Sequence, residues 1–402
     1  MTITTAQRPQ SPLPEKKPGW IPVEASKDAK NPVVESAEFA LKKTNLVRID
    51  QDGVKAAARY IHERMNIEAY TPRTWRTHAL HVCPSEPYDP SSPDTHAALN
   101  WIFLVSALNF SVWSELEGRE DRFGVDWRAG WGSDKRVVWT GYWSLVAALN
   151  RALEEGIPIT DPTFYASEDE CPDSLIEDVF RPAPQCAETV PLLHERIAVM
   201  REVGSILCTR FNGSFSGFLD AFQRQHPHGT ALQLVQMITE TFPAFRDETT
   251  LDGRPVVFWK RAQILVAETW AAFFPSPSSG EPHPFFPHGV GQLTMFADYR
   301  VPQILHHLCI LDYPPSLLRL LRDGAPIAHG QGRSIIAVEH VAKEIRQLCA
   351  ENGDTKDGDV SSVLIDFYLW DLAKRIEGGE ECVEGMQTQD IVPAHRTRSI
   401  WY

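Results

Sequence analysis

The segment Thr294 to Leu305, TMFADYRVPQIL, sets one carboxylate, Asp298, between two aromatic rings, Phe296 and Tyr299, with Arg300 and Pro302 just beyond. Proline pre-sets a helical φ and disfavours the α region in the residue before it. Val301 is therefore expected to be the last non-helical position and Pro302 to open a helix. Asp298 then lies on a connector. A helix N-terminus offers unpaired N–H groups and partial positive charge, and Arg300 adds a full charge, so an anion such as phosphate could sit beside the acid. A carboxylate, a stacking ring and a phosphate seat are the parts of a nucleotide site. The plainer alternative is a loop acid that caps the turns after it.

Charged residues on the apolar face of a helix carry the next signal, because an unpaired buried charge costs several kcal/mol. Glu268 has Ile264, Leu265, Ala271 and Ala272 around it and Arg261 seven residues back, which fits a buried ion pair. Asp366 has Val363, Leu369 and Trp370 as neighbours, with Ser362 as its polar one and no local cation. Such an acid needs a tertiary partner or a ligand bearing N–H donors. Asp371 faces about 140° away by helix geometry and can pair with Lys374 or Arg375. Lys260 and Arg261, with Arg300 and Arg396 or Arg398, are a candidate phosphate clamp, and a solvated helix end is the alternative. His78 and His81 could share a helical face, although no third His or Cys completes a metal set.

These residues need helices to place them. Apolar spacing and end signals predict helices over VVESAEFALKKT, with Ser36 as N-cap, and over GVKAAARYIHERM. Others are predicted at Thr95 to Ser114, Tyr142 to Glu155, His194 to Phe211, Thr230 to Thr241 and Phe258 to Phe274. The last set covers Pro302 to Leu311, Pro315 to Arg322, Ile335 to Asn352 and Ser361 to Glu377. Arg151 and Glu155 are expected to form an exposed i,i+4 pair. Lys135 to Trp143 suits a brief extended or hairpin element, and Asp161 to Pro191 reads as a long loop or weak helices. Alternation long enough for a substantial sheet, internal repeats and a glycine-rich phosphate loop are all missing. The expected fold is mainly α: residues 1–32 form a flexible tail and residues 33–402 one compact helical domain.

Composition narrows the partners. The chain has 402 residues, 43% hydrophobic, and a formal charge of −14. Long nucleic acids are held by basic surfaces that displace counterions, so an acidic chain is expected to handle something small rather than nucleic acid directly. Seven scattered cysteines, with no C-x-x-C pair, suit reduced thiols and argue against zinc. No apolar run reaches membrane-span length and no signal-peptide pattern opens the chain, so a cytoplasmic or nucleocytoplasmic protein is expected.

Read together, the blocks ALNFSVWS, GYWSLVAALNRALEEGIPIT, FNGSF, FWKRAQILVAETW, MFADYRVPQILHHL, DFYLWDLA and HRTRSIWY resemble the queuosine salvage protein family, in family order over nearly the whole chain after the tail. The resemblance implies an all-helical fold similar to helical DNA glycosylases. It also implies hydrolysis of the N-glycosidic bond of queuosine 5′-monophosphate, releasing queuine and ribose 5-phosphate with no metal or redox cofactor, by a protein expected to be a monomer. Carried over by residue, Asp298 would stabilise or attack the oxocarbenium-like sugar and Phe296 would stack on the deazaguanine. Asp366, Phe367 and Asp371 would read the N–H edge and aminomethyl arm, and Lys260 would hold the phosphate. His78, or the nearby His81, matches a base-pocket histidine. Two positions depart from the pattern: Glu268 stands where an Asp is expected, which favours a structural role, and Phe367 where a Tyr is common, which removes a hydroxyl contact. The competing readings are a glycosylase for another modified nucleoside and a non-catalytic binder or carrier of a modified base.

Overall fold

A computed structural model describes residues 31–43, 47–324, 332–352 and 360–401; the expected tail falls, through residue 30, outside them. The first half of the chain runs α1 (Pro32–Lys43), β1 (Arg48–Ile49), α2 (Gln51–Ile67), a 3-10 turn (Pro72–Thr77), α3 (Pro93–Leu108), β2 (Gly124–Arg128), β3 (Arg136–Thr140) and α4 (Tyr142–Glu154). There follow α5 (Pro162–Tyr165), α6 (Asp173–Val179), α7 (Leu193–Arg210), α8 (Phe215–Gln225), α9 (Ala231–Thr241), a second 3-10 turn (Pro243–Phe245), β4 (Glu248–Leu251) and β5 (Arg254–Val257). The remainder is α10 (Lys260–Ala272), α11 (Arg300–His307), β6 (Leu311–Asp312), α12 (Pro315–Arg322), α13 (Gly332–Asn352) and α14 (Ser362–Glu377). The strands pair only as antiparallel twos, β1 with β6, β2 with β3 and β4 with β5. The protein is thus mainly helical, as expected.

Two helices form the middle of the core. In α3, apolar residues between Ala98 and Leu108 lie on every side of the helix, and Ile102, Phe103, Leu104 and Val105 are fully buried. Each such side chain contributes about 1.5–3 kcal/mol of transfer free energy. Helix α10 packs against α3 and is buried at all 13 of its residues. Its polar side chains must therefore find partners inside the protein, and those partners define the site.

Several local expectations give way to tertiary contacts. Helix α1 starts at Pro32, where Asn31 Oδ1 accepts the Val33 N–H at 2.9 Å; Ser36 lies inside the helix and its Oγ accepts the Val257 N–H instead. Helix α3 stops at Leu108 rather than running on to Ser114. Its last carbonyls are taken by buried guanidiniums, Arg261 on Ala107 and Arg196 on Leu108, which replace the missing helical donors. Arg151 is buried, not exposed, and donates to the carbonyls of Asp126, Val179 and Arg181; Glu155 pairs with Arg181. Helix α11 begins at Arg300, two residues before Pro302. A proline in a first turn removes no helical bond, and contacts to Asp298 and Glu377 hold Arg300 in place against the pre-proline bias. The stripe Phe215, Phe218, Leu219 and Phe222 forms α8, left unassigned by the sequence, after the cap Ser214.

Candidate active site

Three elements converge on Asp298: the start of α10, the loop 294–299 and the middle of α14. The start of α10 is built by an acid that lies just before the preceding strand pair. Asp247 Oδ2 accepts the Lys260 N–H at 2.9 Å, and the residue before it, Trp259, takes a left-handed φ of 49° to bring the chain in. Lys260 is 2% exposed, so its stem lies in the core and its ammonium reaches Asp298 Oδ2 at 3.4 Å. One turn further along α10, Gln263 clamps the loop. Its Oε1 accepts the Thr294 N–H at 2.9 Å and its Nε2 donates to Thr294 Oγ1 at 3.0 Å.

From the other side, Asp366 Oδ1 accepts the Phe296 N–H at 3.0 Å. The loop then turns tightly, with Asp298 N–H donating to the Phe296 carbonyl at 2.6 Å. Asp298 Oδ1 accepts the Arg300 N–H at 2.6 Å, which caps α11 and satisfies one of its orphan donors. Asp298 thus caps α11 through one oxygen and pairs with Lys260 through the other. Phe296 is buried and its ring lies 5.9 Å from that of half-buried Phe367, tilted by 54°.

Burial pushes the Asp366 carboxyl well above the usual carboxylate range and the charge on Asp298 adds to this, while the Phe296 amide and Lys260 pull the other way. A raised pKa favours the protonated form of a carboxyl, which can donate as well as accept. Asp371 behaves differently. Its Oδ2 accepts the Tyr70 hydroxyl at 2.7 Å, and burial raises its pKa against the pull of that bond. The expected pairing with Lys374 or Arg375 is absent, because Lys374 pairs with Glu377 and Arg375 with Glu68 and Glu381. Tyr70 meets Tyr368 edge to face, so Asp371 faces the α2–α14 side and not the Phe296 loop.

The histidines belong to an aromatic wall. His78 stacks on Trp143 at 3.6 Å and 2°, and Trp143 in turn meets Trp370 of α14 edge to face. His81 stacks on Trp75 and donates from Nδ1 to the Trp75 carbonyl at 2.6 Å. Burial lowers His78 to about 4 and His81 to about 3, so both rings are neutral at pH 7.

The expected clamp does not assemble. Arg261 points into the core, donates to the carbonyls of Ala107 and Ala244 and lies over the rings of Phe110 and Phe245. Arg300 pairs with Glu377 at 2.8 Å and docks α11 on α14. Arg398 lies 3.4 Å from the centre of the Trp113 ring, and both it and Arg396 reach Glu115. Of the five cations, Lys260 is the one paired with Asp298. Glu268 also lacks its expected partner Arg261: its oxygens accept from Tyr142 Oη at 3.2 Å and Ser106 Oγ at 3.5 Å, and burial lifts it to about 7. Gln263 and Asp247 carry no mark in the sequence; an i,i+3 step from Lys260 was the signal available for Gln263.

The fold and site define a mainly helical protein whose core helix delivers a lysine to a loop carboxylate. The chain belongs to the queuosine salvage protein family, whose model matches residues 88–402. It is 38% identical over 382 residues to a Schizosaccharomyces pombe queuosine 5′-phosphate N-glycosylase/hydrolase, covering 92% of this chain and 99% of that one. Proteins of the same name from Mus musculus and Sphaerobacter thermophilus are 36% and 34% identical, again over 92% of this chain and 98% and 97% of theirs. Among the described residues, no helix is long and apolar enough to cross a membrane.

Proposed function

We propose that this chain is a hydrolase that cleaves the N-glycosidic bond of queuosine 5′-monophosphate, releasing queuine and ribose 5-phosphate. The relatives' names support the substrate, and the observation that carries the chemistry is the Asp298–Lys260 ion pair at 3.4 Å beside the Phe296 ring. Breaking an N-glycoside builds positive charge on the sugar, and a fixed carboxylate in a dry site stabilises it by several kcal/mol. Phe296 and Phe367 supply faces for the base, and Asp366 offers a buried carboxyl to its polar edge.

The pairing also suggests why a phosphate matters. In the free protein the charge of Asp298 is answered by Lys260. A 5′-phosphate that draws Lys260 to itself leaves the carboxylate free to act on the sugar, so remote binding is converted into rate rather than affinity alone. The test is incubation of the purified protein with queuosine 5′-monophosphate and with its unphosphorylated nucleoside, reading free queuine by chromatography. Release from the nucleotide with a lower kcat on the nucleoside supports the reading. Binding of queuine without turnover would make the protein a carrier, and preference for intact tRNA would move the substrate to a polynucleotide.

A further inference from the structure

The proposed substrate is gripped by two separate parts of the fold. Helix α10 carries Lys260, whereas the loop 294–299 carries Phe296 and Asp298, and α14 carries Asp366 and Phe367. Asp366 ties the loop to α14 through the Phe296 amide at 3.0 Å, a bond that does not fix the distance from the loop to α10. Gln263 spans that gap. It is fully buried, one turn along α10 from Lys260. Its Oε1 accepts the Thr294 N–H at 2.9 Å, and its Nε2 donates to Thr294 Oγ1 at 3.0 Å and to the Phe258 carbonyl at 3.2 Å. One carboxamide thus joins the entry to α10, just before Lys260, to the start of the loop that bears Asp298.

Resting on the proposed hydrolysis, we infer that Gln263 is a positioning residue that sets the span between the phosphate seat and the base pocket. Its carboxamide is filled by protein groups, so it acts through Lys260 and Asp298 rather than on the substrate. It holds helix and loop in the register at which the Lys260 ammonium meets Asp298 Oδ2 at 3.4 Å. A phosphate drawn to Lys260 brings the sugar of the same nucleotide against Asp298 only while that register is kept. A slip of about 1 Å can cost roughly 10²-fold in rate.

The residue type fits the task. Thr294 and the neighbours of Gln263 on α10 are buried, so each polar group between helix and loop has to be answered inside the protein. A carboxamide carries an acceptor and two donors in one plane without a net charge. A carboxylate could still accept the Thr294 amide but could not donate to the Phe258 carbonyl. An apolar side chain of similar length would strand both groups.

The experiment measures kcat/KM for queuosine 5′-monophosphate and for its unphosphorylated nucleoside with the full chain, Gln263→Met, Lys260→Met and the double variant. A smaller folded fraction scales both values alike and cancels in their ratio. Gln263→Met is expected to lower the nucleotide-to-nucleoside ratio about tenfold or more, through loss on the nucleotide. In the Lys260→Met background it is expected to lower the ratio no further, because the group it positions is gone. Should Gln263→Met not fold, Gln263→Glu, which keeps the bond to the Thr294 amide, is expected to lower the ratio by about two- to fivefold. An unchanged ratio in the folded variant, or a further fall in the double variant, would overturn the assignment. A wild type that releases no queuine from either substrate sinks the hydrolysis reading as well, and one indifferent to the phosphate sinks the role of Lys260. A wild-type preference for the nucleotide that Gln263→Met leaves intact sinks this inference alone.

Discussion

Lys260 and Arg261 are adjacent, equally charged and equally buried at the start of one helix, yet they serve different ends of the molecule. Successive helical residues point about 100° apart, so one aims at the loop carboxylate and the other into the core. The compact ammonium acts as a point charge on Asp298. The guanidinium forks across two helical segments, the last turn of α3 at Ala107 and the short 3-10 turn at Ala244. Two adjacent buried cations are thus satisfied in different ways, Lys260 by a carboxylate and Arg261 by a pair of carbonyls.

The contrast can be broken most forcefully at the carboxylate that gives Lys260 its meaning. Asp298→Asn is expected to cut kcat roughly 10²- to 10⁴-fold while the melting temperature stays close to wild type. Arg261→Met should do the reverse. Stranding two buried carbonyls costs about 2–5 kcal/mol in urea unfolding, while KM of the folded protein at low temperature stays near wild type. Lys260→Met should raise KM for the nucleotide by about 10- to 100-fold, and far less for the unphosphorylated nucleoside. If Arg261→Met raised KM as Lys260→Met does, the division between the two cations would be wrong.

A smaller effect tests the remaining acid of α10. Glu268 has its folded pKa raised to about 7 by burial, so between its unfolded value and 7 the native state binds the proton more tightly than the unfolded one. Stability should accordingly fall as pH rises from about 4.5 to 7 and level off above. Asp247, also lifted to about 7, adds a fall of the same sign. Glu268→Gln, scanned by thermal melting from pH 5 to 8, should flatten its share of the slope, on the order of 2–3 kcal/mol at most. An unchanged slope would show that Glu268 is ionised in the native protein throughout.

How much of this was legible depends on whether the information is local. Helix α10 and its neighbours announce themselves by apolar spacing and by turns such as Asp252-Gly253, and α10 is located within two residues at each end. The unpartnered Asp366 points to a tertiary partner, though not to the Phe296 amide, a residue 70 positions away. The pairings of Glu268, Asp371 and Arg151 were misassigned because nearby opposite charges were matched within one helix, whereas burial sent each to another element. The phosphate clamp failed for the same reason. Five cations are countable in a sequence, but their directions are set by the carbonyls and acids that surround them after folding.

The tether between the Arg300 amide and Asp298 Oδ1 has a kinematic consequence. A carboxylate with one oxygen pinned at 2.6 Å cannot swivel about its last torsion to follow an atom that moves. In the proposed reaction, the ring carbon would then travel toward a stationary oxygen as the glycosidic bond lengthens. Ligands that mimic an already displaced, flattened sugar should therefore bind more tightly than those that mimic the intact nucleotide. The carboxamide of Asp298→Asn, whose carbonyl can keep the same tether, holds the stage still and removes only the charge.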